Sequence, residues 1–234
     1  MIISFLQTKG GVGKSTLALL VAYSPTIRKR FPKVSVLDLD YQGTLKSWVR
    51  ERRNRVGEDI GIKFDSYTGD KNKDFAKVVK SLYSQKKDEL LIIDSGGEGV
   101  LNFGTSKSIP LPDKVIIPFH LSQTNEDAFN RNLKPEIEAD TTKNKFFLLP
   151  SFIHTSANVS NLCDEIKTRI VKDNKHLRVM RSPFYYRSIF QNFCRFGLSL
   201  PEYKSLYKTN KKETERATKA DKDITTISKE IIRS

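Results

Sequence analysis

The sequence predicts an α/β fold, a mostly parallel twisted sheet covered by helices on both faces. Three observations carry this. Short runs rich in aliphatic and β-branched residues alternate with longer segments of helical spacing, the pattern of strands joined by crossover helices. Runs such as Leu90-Leu91-Ile92-Ile93 are apolar throughout, as a strand buried on both faces requires. The first run leads into a glycine-rich loop and then a helical segment, and ligands of such sheets bind beyond the carboxyl ends of the strands.

Taken in order, residues 2–6 form the first buried strand and 15–30 a helix. A strand over 34–39 precedes a helix over 44–55, with Thr44 as its expected N-cap. Residues 62–67 make a weaker strand, and 74–86 a helix with Phe75, Val78, Val79 and Leu82 on one face. Strands follow at 90–93 and 114–119, a helix over 124–137 and a strand over 146–149. A helix over 159–171 carries Leu162, Ile166 and Ile170 at helical spacing. A short strand near 177–180 precedes helical segments around 188–196 and beyond Pro201, and the tail from about Asn210 is charged and helix-permissive. No linker or repeat divides the chain. The expectation is one domain over 1–234, with residues 205–234 as a charged C-terminal helical extension.

The chain has 234 residues, 38% of them hydrophobic, enough for a sizeable core. No apolar run approaches the roughly 20 residues that span a bilayer, and the N-terminus lacks the basic lead-in of a signal peptide. Cys163 and Cys194 form no CxxC pair, which argues against a disulfide framework or a zinc site and for buried small residues. A soluble, cytoplasmic protein is expected. Its net charge is +14, unevenly spread. Residues 28–55 hold nine basic and three acidic side chains, and residues 165–212 hold 12 basic and three acidic. The stretch between them is slightly acidic, and residues 213–234 are neutral. For any one lysine a solvated surface explains the charge. The second block, interspersed with Tyr185, Tyr186, Phe190 and Phe193, calls for an anionic surface partner, nucleic acid first.

The loop after the first strand reads Lys9-Gly10-Gly11-Val12-Gly13-Lys14-Ser15-Thr16. Glycines let the backbone curl and aim its N–H groups inward, and the following helix adds its N-terminal dipole. Lys14 places its ammonium between β- and γ-phosphates, and the Ser15 hydroxyl suits Mg²⁺. Strand, three glycines, Lys-Ser and helix in that order specify a phosphate-binding loop far better than a glycine-rich turn alone. Asp38 and Asp40, one residue apart at the end of the second strand, point to the same side and need a cation nearby. Asp94 ends a hydrophobic strand, the usual place for a carboxylate that holds Mg²⁺ through water.

The spacing xKGGxGK[ST] resembles the ParA/MinD family of deviant Walker P-loop ATPases, and Asp38-Leu39-Asp40-Tyr41-Gln42-Gly43 resembles the DxDPQG segment of its ParA branch, with Tyr41 in place of Pro. The resemblance covers roughly residues 1–205, specific at these two motifs and loose after about residue 100. It implies ATP and Mg²⁺ as cofactors. It gives Lys9 a role across a dimer interface on the partner's nucleotide, Asp40 the positioning of the attacking water, and Asp38 a place on the metal side. Ser95-Gly96-Gly97 stands where many relatives have Thr-Pro-Pro, and Pro150 lies near the place where many have an Asn or Thr that touches adenine. The segment Arg181-Ser182-Pro183 resembles the late loop that lies by the base, which makes Pro183 a nucleotide contact.

Within the family, the tail places Ile224, Ile227 and Ile231 at helical spacing without aromatic anchors and without net charge, poor for a MinD-like membrane helix and better suited to docking on the body. The resemblance then implies a DNA-partition ATPase for a plasmid or chromosome. An ATP-dependent homodimer binds DNA non-specifically on the nucleoid, and slow hydrolysis, stimulated by a centromere-binding adaptor, releases it. The expected DNA contacts are Arg169, Lys172, Lys175, Arg178, Arg187, Arg195, Lys204 and Lys208. Two alternatives stay open. Relatives that assist conjugal or T-DNA transfer share the short length and a Trp after the DxD loop, as Trp48 is here. A metabolic P-loop ligase of the dethiobiotin-synthetase or cobyrinate-amidase kind would need no basic face.

Overall fold

A computed structural model of the chain describes residues 1–6, 13–39, 43–57, 62–67, 75–95, 112–139, 145–172, 174 and 176–234, apart from the side chains of residues 136 and 191–194. The strands are β1 (Ile2–Phe5), β2 (Lys33–Asp38), β3 (Ile62–Ser66), β4 (Glu89–Asp94), β5 (Lys114–Phe119), β6 (Phe146–Ile153), β7 (Leu177–Val179) and β8 (Phe184–Tyr185). They form one sheet in the order β3-β2-β4-β1-β5-β6-β7, with β8 also paired to β6, and every described pairing is parallel. The described helices are α1 (Lys14–Ala22), α2 (Pro25–Arg30), α3 (Thr44–Val56), α4 (Phe75–Leu82), α5 (Gln123–Asn132), α6 (Lys134–Ala139), α7 (Val159–Ile166), α8 (Ser188–Phe196), α9 (Leu200–Leu206) and α10 (Lys211–Arg233).

Period-two alternation along the strands divides the core into two layers. Ile3, Phe5, Val34, Val36, Leu90, Ile92, Ile116, Phe147 and Leu149 face a first layer made by α1, α2, α3, α8, α9 and α10. Val115, Ile117, Phe119, Phe146 and Leu148 face α5, α6 and α7, while Ile2, Leu37, Leu91 and Ile93 face α4. The first layer therefore takes helices from both ends of the chain and the second only from its middle. In α10, Ala217, Ala220, Ile224, Ile227 and Ile231 are buried in the first layer, as the isoleucine spacing predicts. Burial of each isoleucine contributes roughly 1.5–3 kcal/mol. Among the described residues no helix is long and apolar enough to cross a membrane.

Several predicted boundaries move for local reasons. The helix expected over 15–30 is two, because Pro25 cannot donate an interior hydrogen bond and instead opens α2 behind Ser24. Thr44 is not the N-cap of α3: Gly43 is, in the left-handed conformation at φ 68°. The expected 124–137 helix breaks at Leu133, two residues before Pro135, and the 159–171 helix ends in a π-turn over Lys167–Val171. The two-residue strand β8 is too short to leave a periodic signal in the sequence.

Candidate nucleotide site

The carboxyl ends of β2, β4 and β1 are level, and the candidate residues gather there. In the parallel register Asp38 pairs with Asp94, and Asp94 pairs with Phe5. Both carboxylate residues are the last of their strands and both are buried. Cross-strand backbone bonds fix them. Leu39 N donates to Asp94 O (2.9 Å), and Tyr67 N to Asp38 O (2.8 Å). Ser95 N and Oγ donate to Phe5 O (3.2 and 2.7 Å). Two buried carboxylates on neighbouring strands repel each other and favour a cation.

The helix α1 begins beside them. Gly13 is its N-cap at φ 79°, a conformation that a Cβ would strain, and Gly13 O accepts from Leu17 N (2.8 Å). Lys14 is the first helical residue and is buried, while Ser15 and Thr16 are half-buried in the same first turn. A helix N-terminus next to a buried lysine favours an anion. The Ser15 hydroxyl and the Asp38 and Asp94 carboxylates are hard oxygen donors of the kind that could hold Mg²⁺. Lys9, Gly10, Gly11, Val12 and Asp40 lie outside the described residues. Beyond Asp38, a cavity of about 340 Å³ opens between α3 and the edge strand β3, walled by Lys46, Arg50, Arg53, Phe64 and Asp65.

On the other side of α1 the surface is aromatic. A Cβ on Gly13 would stand 3.1 Å from Phe152 Cζ and 3.2 Å from Phe184 Cε1. Phe152 sits at a bulge in β6 at φ 57°, rare for a residue with a side chain, and its ring meets those of Phe184 and Tyr186 at centroid distances of 6.0 and 6.2 Å. Tyr186 is 48% exposed. Pro183, the predicted nucleotide contact, is half-buried immediately before β8. The sequence does not mark Phe152, and it places Tyr186 only among the aromatics of the second basic block. Their signal is an aromatic spacing around Pro183 that has meaning only once β8 lies against β6.

The basic candidates do not form one patch. Arg195, Lys204 and Lys208 are exposed on α8, α9 and the turn after it, in the first layer. Lys172 is exposed next to the π-turn of the second layer, and Arg178 is exposed on the edge strand β7. Arg169 is paired with Glu126 (2.6 Å) and Glu165 (2.8 Å), and the partly buried Arg187 with Asp223. Lys175 lies outside the described residues, as does the side chain of Cys194, whereas Cys163 is free and buried.

Sequence reasoning also missed Arg52, which reads as one more cation in a basic run. It is buried against Tyr23 and Trp48, donates to Gly197 O (3.1 Å) and makes a two-pronged pair with Glu202 (2.8 and 2.9 Å). Glu202 also closes a capping box with Ser199 at the start of α9, and that Ser-x-x-Glu signature was readable.

Residues 3–182 match the family model described as the CobQ/CobB/MinD/ParA nucleotide binding domain. A ParA family protein of Mycoplasma genitalium is 26% identical, over 74% of this chain and 80% of its own length. Among solved structures, a protein of Borrelia burgdorferi described as a plasmid partition protein and bound to AMPPNP has a TM-score of 0.63 at 17% identity, covering 99% of this chain and 98% of that one. The ParA of pNOB8 bound to nonspecific DNA has a TM-score of 0.55 at 14% identity, covering 99% and 97%. At these identities the structural likeness shows the fold, an eight-stranded sheet of the ParA/MinD P-loop type. The family match spans more than three quarters of the chain and includes both acidic strand ends, the helix that begins at Lys14 and the Pro183-proximal loop as far as Ser182: the chain belongs to the CobQ/CobB/MinD/ParA nucleotide-binding family, as a ParA-type protein.

Proposed function

We propose that this protein is a DNA-partition ATPase of the ParA branch, in which ATP switches a DNA-binding dimer on and hydrolysis switches it off. The observation that carries the reading is the segregation of charge between the two helical layers. Helices of the first layer hold 18 basic and seven acidic residues, and helices of the second, with the π-turn, hold six of each. Apart from the buried Lys14 and Arg52, this excess of cations suits a DNA backbone, where released counterions supply the affinity and no base need be read. The DNA-bound pNOB8 relative, similar over nearly the whole chain, supports the same reading. The burial of Ile224, Ile227 and Ile231 favours it over membrane cycling, which would require an undocked helix.

In this reading the loop amides and Lys14 hold the β- and γ-phosphates of ATP. Ser15, Asp38 and Asp94 are the residues that would hold Mg²⁺, Asp94 through water. The ion, when bound, neutralises phosphate charge and orients the transferred group. Lys9 contacts the nucleotide of the partner subunit, and Asp40 orients the attacking water. Basal turnover is slow, because a switch needs a long-lived state, and a centromere-binding adaptor stimulates it. The cellular place is the cytoplasm, on nucleoid DNA.

The test is DNA binding in low salt with ATP-Mg²⁺, with ADP and without nucleotide, for the natural chain, Lys9→Ala and Lys14→Ala. ATP-dependent binding lost in both variants is expected. Binding that ignores nucleotide and both lysines, or a chain that stays monomeric with ATP and ignores DNA, overturns the reading.

A further inference from the structure

We propose that Glu230 of α10 is a positioning residue for the base end of the nucleotide site, holding the turn at residues 181–183 so that Phe184 packs at Gly13, the N-cap of α1. The inference rests on the nucleotide-binding reading above. The row of strand ends has a direction. Asp38 and Asp94 lie on the β2 and β4 side of α1, and the aromatic ledge of Phe152, Phe184 and Tyr186 lies on the β6 and β8 side. A triphosphate whose cation sits by the acids must extend its nucleoside toward the ledge, where a flat apolar base finds aromatic surface.

The turn that leads into this ledge is tied from three sides. Met180 N donates to Leu148 O in β6 (2.8 Å), and Met180 O lies 3.7 Å from the Cys163 thiol of α7. The third tie is Glu230. Its two carboxylate oxygens accept from Arg181 N and Ser182 N, each at 2.8 Å. Pro183 and then Phe184 follow directly, and the Phe184 ring abuts Gly13. Successive backbone N–H groups turned toward one carboxylate are a strong charge-assisted contact. An amide at position 230 supplies one acceptor and sets its own N–H₂ against the second N–H. The C-terminal helix thus carries a carboxylate that shapes a loop 48 to 49 residues earlier in the chain, and it does so without touching a phosphate.

The experiment compares ATP with inorganic tripolyphosphate, both with Mg²⁺, on the full chain. Tripolyphosphate occupies the phosphate loop and has no base. In Glu230→Gln, ATP affinity is expected to fall about tenfold, in the range of residues that orient a ligand group from behind, while tripolyphosphate affinity stays at the natural value. Glu230→Asp should recover part of the loss. Tyr203→Phe, which cuts a different tie of α10, should change neither affinity. Equal ATP affinity in Glu230→Gln overturns the inference, and so does a parallel loss of both ligands, which marks a general structural effect. A natural chain that binds neither ligand, or binds ATP equally well as Lys14→Ala, overturns the nucleotide reading itself. Amide exchange needs no variant: Arg181 and Ser182 should exchange slowly without nucleotide, and rapid exchange there overturns the clamp.

Discussion

The first helical layer buries a larger apolar face than the second, and polar ties between its elements are more numerous among the described residues. The second layer rests mainly on amphipathic helices from the middle of the chain, with Phe129, Leu133, Ile166 and Ile170 against β5 and β6, and Arg169 of its π-turn is tied to Glu126 of α5 at 2.6 Å. The first is a meeting of the two ends of the chain, and polar ties stitch it. Arg52 of α3 reaches Glu202 of α9, Arg187 reaches Asp223, Glu230 reaches the 181–182 backbone, and Lys114 Nζ donates to Ile231 O at 2.6 Å. The contrast teaches that charge does two jobs in one layer. Most cations face outward, while a few are buried partners that set how distant segments join.

The largest expected effect tests the closeness of that join. A Cβ on Gly197 would lie 2.4 Å from Arg52 N and 2.6 Å from Glu51 C, and Gly197 sits at φ 58°. Gly197→Ala should cost about 3 kcal/mol, from backbone overpacking together with a strained φ. Denaturant titration checks it, and a loss below 1 kcal/mol would mean the layers are less different than described.

Charge reversal tests the outward cations. Arg50→Glu with Arg53→Glu and Lys204→Glu in the first layer should weaken ATP-dependent DNA binding at least about tenfold and flatten its salt dependence by roughly one unit of slope per lost contact. Lys77→Glu with Lys80→Glu on α4 should leave both nearly unchanged. Fluorescence anisotropy across a salt series separates the two, and equal losses would dissolve the asymmetry between layers.

The buried tie carries a pH signature. Burial opposes the Glu202 charge, but hydrogen bonds from Arg52 and from the Ser199 side chain and backbone hold its carboxyl at about 2, against an ordinary 4.5. A lowered folded value means its stabilisation is complete above about pH 4.5 and is lost as the pH falls toward 2. Glu202→Gln should therefore lower Tm at pH 7, with the gap to the natural chain closing through that window. A gap that stays constant with pH would count against the pair. The smallest effect is Tyr203→Phe, which removes the bond to Glu213 (2.8 Å) between α9 and α10. The loss should be within about 1 kcal/mol, and the tyrosine, raised to about 12 by burial and then by this bond, should titrate nearer its ordinary value in Glu213→Gln.

The sheet and the phosphate side of the site were legible because their signals are local. A strand shows as an apolar run, and Gly13-Lys14-Ser15 shows as a loop feeding a helix. The breaks at Pro25 and before Pro135 were also written locally, although the periodicity ran through them. The roles of Arg52, Arg169 and Arg187 were not legible. A cation in a basic run looks the same whether it meets solvent, DNA or a carboxylate 36 to 150 residues away, and only packing decides. Phe152 escaped for a similar reason: its left-handed backbone comes from a bulge that β8 completes, and nothing in Ser151-Phe152-Ile153 announces it.

The helix α10 has a consequence for biosynthesis. The ribosome makes it after every strand that it helps to cover, so Ile27 of α2 and its neighbours wait uncovered through translation of some 190 residues. Until Ile224, Ile227 and Ile231 arrive, the first layer presents an open apolar seam. Chains stalled or clipped before that point would be the natural clients of chaperones and proteases, which recognise exposed apolar surface.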